Sequence, residues 1–437
     1  MAGVSLPGER KEQEKGEIAS VSVQGLAPLP AGGAVTPEEA TIALKREELA
    51  LAEKLIKEFP GSEEPFVLMG NVLGRHGNPP QAIKFWAAAL RLNPKRADVY
   101  KGMGWLAMKK GAYEEAIGHW RKALEIDPEI QGVHSAIARA LMGLGRQKEA
   151  IRELERDIQI SPRTSLSYFL LGQEYLQQKE YGKAKKNYEM AIAIEPTLTN
   201  AYYGLFTVCA RLKEGAKSRE YMAIFKKLKA EDMKTLKDRN DAYNDLVEMR
   251  KGVAETYVHA GQMHEARASV RKAEELLKRA ATLNPKNTVC LMTLASLYQR
   301  SNRTGEALDV HKRISEIEPA NPICYLNIGI FSARLKRFGE AEAAFGKVIT
   351  LAPTSSSGYR ELARLYLRSN KKLPEARVLA EKAVSFDGSA EDYYVLSWAC
   401  GRNSDSAAAL AAIKKAVELE PDNPQYKRIY EQIKKGN

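Results

Sequence analysis

The chain has 437 residues, with 67 lysines and arginines against 55 acids, a net charge of +12 and an isoelectric point near 9.2. No stretch approaches the roughly 18 consecutive apolar residues of a membrane span. Phosphate-loop, dinucleotide, zinc-protease, paired-cysteine and nucleophile-elbow signatures are absent. The basic balance admits acidic partners or nucleic acid and requires neither.

Within residues 1–35 the charged run GERKEQEKGE is followed by the uncharged stretch 18–35. Ser, Gln, Gly and Pro interrupt any apolar helical core there, so this stretch reads as a disordered linker. A cytoplasmic location is expected. The alternative is export, if residues 1–35 follow or contain a processed signal. Thr36-Pro37-Glu38-Glu39 then starts a helix: Thr as N-cap, Pro in the first turn, Glu three places after the cap. That helix is expected to run to about Phe59.

From there the prolines keep time. Pro60, Pro94, Pro128, Pro162 and Pro196 stand 34 residues apart; Pro285, Pro319 and Pro353 repeat the step, and Pro421 lies two steps further. A fixed period of this length marks stacked supersecondary units. With each proline as position 32, one unit carries Tyr100, Gly104, Ala116, Trp120 and Ala123 at positions 4, 8, 20, 24 and 27. The same positions hold Phe66, Gly70, Ala82, Trp86 and Ala89, then Tyr168, Gly172, Ala184, Tyr188 and Ala191, then Tyr325, Gly329, Ala341, Phe345 and Val348. Gly77, Gly111 and Gly145 fall at position 15, between two apolar-periodic stretches. The unit is helix, tight turn, helix and a stop at proline, which lacks an N–H and clashes with the preceding turn.

This pattern resembles the tetratricopeptide repeat over roughly residues 63–421. The resemblance implies an all-α, right-handed α-solenoid of about ten helix-turn-helix repeats with N- and C-terminal capping helices. Some units depart from it: Lys179 stands at position 15, Ser218 and Phe225 at 20 and 27, and Ala230 replaces a proline. Four segments are expected: the linker 1–35, an N-terminal repeat block 36–229, a helical insertion 230–250 and a C-terminal block 251–437.

The step from Pro196 to Pro285 is 89 residues, 21 more than two periods. We place seven of the extra residues between Ala273 and Ala280, lengthening a second helix, and fourteen between Ala230 and Val247. Both are near whole helical turns, so the buried face is kept. Ala216 to Lys251 holds no Gly or Pro and should form long helices. Asn423-Pro424 starts a short polar helix at the C-terminus. Cys209, Cys290, Cys324 and Cys400 are read as reduced packing residues.

No cofactor or metal is expected and the protein is read as non-catalytic. Glu255, His259 and His264 come nearest to a constellation; the favoured reading is an exposed helix end entering a turn at Gly261. In the family, positions 2, 5, 9, 12 and 13 of each first helix line a concave surface. Carried over, these are Asn71, Lys101, Trp105, Arg139, Phe169, Gln173 and Tyr203 in the first half. Lys251, Met292, Leu326, Arg360, Arg364, Tyr394 and Trp398 follow in the second. Position 13 repeats as Arg300, Arg334, Arg368 and Arg402, and Arg75, Lys109 and Arg211 share it earlier. Either these form a basic ladder or each offsets a helix dipole. The lysine and asparagine clamp by which chaperone-binding members grip a C-terminal carboxylate is not matched in any three consecutive units. The expected function is a scaffold binding peptide or protein segments, acidic ones included. The alternatives are nucleic-acid or polyanion binding through the ladder, and a regulatory subunit of an enzyme encoded elsewhere.

Overall fold

A computed structural model describes residues 36–242 and 245–436, with the side chains of 235–242 and 436 excepted. The linker expected over 1–35 and part of the 230–250 insertion lie outside the described residues. Among the described residues there are 22 α-helices and no strand. The chain divides into two units, Met1–Met249 and Arg250–Asn437.

The first unit begins with α1 (Pro37–Glu58) and continues as helical hairpins. These are α2 (Glu64–Arg75) with α3 (Pro79–Leu92), α4 (Ala97–Lys109) with α5 (Tyr113–Ile126) and α6 (Val133–Gly143) with α7 (Gln147–Ile160). Then come α8 (Ser165–Gln177) with α9 (Tyr181–Ile194) and α10 (Thr199–Arg211) with α11 (Gly215–Ala242). The unit boundary falls inside α12 (Asp245–Ala266), which is followed by α13 (Val270–Leu283). The second unit continues with α14 (Thr288–Arg300) and α15 (Thr304–Ile317), then α16 (Pro322–Arg334) and α17 (Phe338–Leu351). Its last hairpins are α18 (Ser356–Ser369) with α19 (Leu373–Phe386) and α20 (Ala390–Arg402) with α21 (Ser406–Leu419), closed by α22 (Pro424–Gly436).

Thr36 caps α1 as expected: its hydroxyl accepts from Glu39 N at 3.2 Å, and Glu39 accepts from Thr36 N at 2.8 Å. The hairpins close because a glycine at position 8 leaves room for the position-24 ring. A Cβ on Gly172 would meet the Tyr188 ring at 2.6 Å. The same ring reaches the next unit, where a Cβ on Gly204 would lie 2.5 Å from it. Trp120, Tyr188 and Phe345 are fully buried in this role. The alanines at position 20 (Ala82, Ala116, Ala184, Ala273, Ala341) are wholly buried, where two helices approach. All four cysteines are buried and unpaired.

The insertion is not divided as the sequence suggested. Helix α13 has 14 residues, the same as α3, α5, α7 and α9, so nothing is added between Ala273 and Ala280. The extra length lies in α11, of 28 residues, and α12, of 22. Gly261 is not a turn either. It sits within α12 as the position-8 residue, where a Cβ would meet Leu277 Cγ at 2.9 Å, and the turn comes at Ala268 with φ 57°. His264 is buried while Glu255 and His259 are exposed, and among the described residues the three form no group that could hold a metal ion. Lys251 accordingly leaves the groove register, and Glu255, Val258, Gln262 and Glu265 take positions 2, 5, 9 and 12.

Candidate interaction groove

In the second unit the first helices α16, α18 and α20 follow one another, with α22 beyond. Two adjoining cavities of about 380 Å³ each open along them. The first is floored by Leu326, Ile330, Phe338 and Leu365 and edged by Arg334, Arg360, Arg364 and Arg368. The second is walled by Tyr394, Trp398, Gln425 and Tyr426. Arg364, Arg368 and Glu391 border both.

The charges between them are partly spent internally. Ser389 caps α20, and the N3 residue of that cap, Asp392, is fully buried and accepts from Arg360 Nη1 at 2.9 Å. Glu391 accepts from Arg364 Nη2 at 2.7 Å and stands 3.4 Å from Arg360. Burial works to raise the Glu391 carboxyl, but the Arg364 hydrogen bond and the two guanidinium charges outweigh it and hold it below its ordinary value. Burial pushes the Glu361 carboxyl upward against the pull of Arg364 and Arg360. Arg360 Nε is buried without a hydrogen-bond partner.

Position 13 divides three ways, and its Lys109 and Arg211 in the first unit are exposed and off the cavities. Arg75 pairs with the fully buried Glu48 at 2.5 Å, Arg300 pairs with Glu265 at 3.0 Å, and Arg402 donates to Asn370. Arg334 and Arg368 are exposed on the first cavity, and neither has a carboxylate partner among the described residues. Arg334 lies 5.8 Å from the Phe331 ring.

The first-unit residues are held by neighbours. Trp105 is half-buried, edge-on to Trp120 at 5.3 Å, with Arg139 5.9 Å from its ring. Asn71 accepts from Trp86 Nε1 at 3.1 Å, and Lys101 donates to the Gln131 carbonyl at 2.9 Å. Phe169 lies 5.9 Å from Tyr188, and Gln173 is exposed. Tyr203 is 51 % exposed and 5.2 Å from Phe225, at the last regular hairpin of its unit.

Three groove residues escape a reading of the sequence. Glu391 and Asp392 look in sequence like ordinary first-turn acids of a helix, and Asp392 fits a capping box. Tyr426 belongs by sequence to a polar end helix, yet it is buried and stacked on Tyr394 at 5.5 Å. Among the described residues no cluster could hold a metal ion, and no helix is long and apolar enough to cross a membrane.

The geometry defines an all-α protein built of stacked hairpin repeats, with an open groove on first-helix faces. Family profiles described as tetratricopeptide repeat match residues 67–129, 165–198, 323–355 and 391–423. The chain is a tetratricopeptide repeat protein, a class of generally non-catalytic scaffolds for protein interaction. No curated protein matches it. Among solved structures, yeast Tom70 is 16 % identical, covering 91 % of this chain and 96 % of its own, with a TM-score of 0.35. MamA from Desulfovibrio magneticus RS-1 is 20 % identical over 39 % of this chain and 97 % of its own, at 0.35. A thermophilic tetratricopeptide repeat protein of Thermus thermophilus is 17 % identical over 41 % and 98 %, at 0.33.

Proposed function

We propose that the protein is a non-catalytic adaptor that holds an extended segment of a partner protein along α16, α18 and α20. The supporting observation is the pair of adjoining cavities at positions 5, 9 and 13 of three successive repeats, bordered in common by Arg364, Arg368 and Glu391. Four buried, unpaired cysteines favour a reducing, cytoplasmic setting. Continuous nucleic acid fits less well, because Glu391 stands where the two cavities meet and would oppose a phosphate backbone crossing it.

A photo-crosslinking residue at Ile330 or Tyr394 should capture the partner, while one at exposed Lys414 on α21 should not. Equal capture from Lys414 would move the interface off the groove.

A further inference from the structure

We propose that the two cavities form one bipartite peptide site. It takes a single acidic side chain against Arg334 and Arg368, and a large apolar side chain against Tyr394 and Trp398. This rests on the reading of the groove as the partner face and adds the chemistry it selects.

The acidic half follows from the comparison within position 13. Arg75, Arg300 and Arg402 are each engaged by a neighbouring side chain. Lys109 and Arg211, also at position 13, are exposed and unengaged among the described residues as well, so what sets Arg334 and Arg368 apart is their place on one cavity. Arg334 and Arg368 face the same cavity over an apolar floor, and the two acids that also line it, Glu361 and Glu391, are paired with Arg360 and Arg364 and not with them. Two like charges on one apolar-floored cavity favour a carboxylate between them, and the low-dielectric floor strengthens that attraction.

The limit to one acid follows from the junction. Glu391 is held ionised by Arg364, and its side chain is 44 % exposed at the border of the two cavities. A second acid arriving there would be repelled, so the connecting residues should be neutral. Beyond the junction, where Arg368 is shared with the first cavity, Tyr394, Trp398 and Tyr426 offer ring surface, which suits a bulky apolar side chain. Packed helices lie roughly 8–10 Å apart and an extended chain advances about 3.3 Å per residue; an acid midway between α16 and α18 is about one and a half spacings from α20, which puts the acid and the apolar anchor about four residues apart.

The test is selection from a random-peptide display library on the immobilised full chain. Enriched peptides should carry one Asp or Glu about four residues from Trp, Phe or Leu, with neutral residues between. Arg334→Gln with Arg368→Gln should weaken them about tenfold or more, the loss of a charge-assisted contact. Trp398→Ala should weaken them by roughly 30-fold, as for an aromatic anchor. Reversing both arginines to Glu should switch selection to peptides with Lys or Arg in place of the acid. Both arginines are exposed, so melting should be unchanged in their variants and loss of fold does not confuse the result.

Enriched peptides that lack the acid, or that bind the Gln double variant as well as the parent, overturn this inference and leave the adaptor reading intact. A library with no enrichment on the parent overturns both. A single-stranded oligodeoxythymidine that binds tighter than the peptides and is lost in the Gln double variant would make the groove a polyanion site and sink the proposal.

Discussion

At position 15 the chain demands a left-handed backbone in every hairpin. Gly77, Gly111 and Gly145 meet it without strain; Lys179, Lys213, Ala268, Asn302, Lys336, Asn370 and Ser404 adopt it with φ between 52° and 62°. A left-handed residue with a Cβ costs about 1–2 kcal/mol, against about 0.5–1 kcal/mol of backbone entropy for glycine. Ala268→Gly should therefore stabilise the second unit by about 0.5–1 kcal/mol, and Gly111→Ala should destabilise the first by a similar amount. Thermal melting measures both, and a loss of stability in Ala268→Gly would contradict the turn assignment. The first three turns are legible in the sequence because glycine is a turn signal; those at Lys179, Lys213, Ala268 and Lys336 are not, because lysine and alanine carry none. Both position-9 tryptophans are half-buried against core residues, and Trp398 also walls the second cavity. Trp105 packs on Trp120, so Trp105→Ala should cost roughly 2 kcal/mol in melting, part of the usual loss for a buried ring.

Between hairpins, one ion pair recurs from position 21 of a unit to position 16 of the next, with either polarity. Glu274–Arg303 stands at 2.5 Å, Lys185–Glu214 at 2.5 Å, Glu342–Lys372 at 2.6 Å and Arg377–Asp405 at 3.0 Å. The pairing ties each second helix to the following turn. The Arg303 hydrogen bond, with help from Lys278 and Tyr298 and against some burial, pushes the Glu274 carboxyl down to about 2. A depressed folded value means the stabilisation is present above the unfolded value, about 4.3, and is lost as pH falls toward about 2. Glu274→Gln should melt below the parent at neutral pH, and the gap should close as the pH is lowered through that window. A gap independent of pH would mean that packing, not charge, makes the contact. At the start of the array, Glu48 on α1 is wholly buried against Arg75 and His76 at 2.5 and 2.7 Å. Glu48→Ala strands the partners of a buried carboxylate and should cost about 3 kcal/mol.

Across the whole chain the period is readable in the sequence, and the place where it breaks is not. Ala266, Ala273 and Ala280 are seven residues apart, as positions 20 and 27 are. A reading that slips by one heptad therefore keeps the apolar face while moving every named position. Only the left-handed comb fixes the register: it steps by 34 from Ala268 through Asn302, Lys336, Asn370 and Ser404. The same logic makes the groove half legible. Arginines, aromatics and even Glu391, at position 2 of its repeat, can be counted from the period, while Tyr426 comes from the end helix that the period does not address. Each unit is a chain of nearest-neighbour contacts, so its end piece matters more than its size suggests. Helix α22 closes the second unit by packing Tyr426, Ile429, Tyr430 and Ile433 on Leu410, Ile413 and Val417 of α21. Removing residues 424–437 uncovers that face at a cost on the order of 3–5 kcal/mol. Hydrogen exchange should then lose protection first in α20 and α21 and least in α2 to α9. The truncation also takes away Gln425 and Tyr426, a wall of the second cavity, so groove ligands should weaken even where α16 and α18 stay protected. Uniform loss of protection along all the helices would show that stability is shared globally and not passed from neighbour to neighbour.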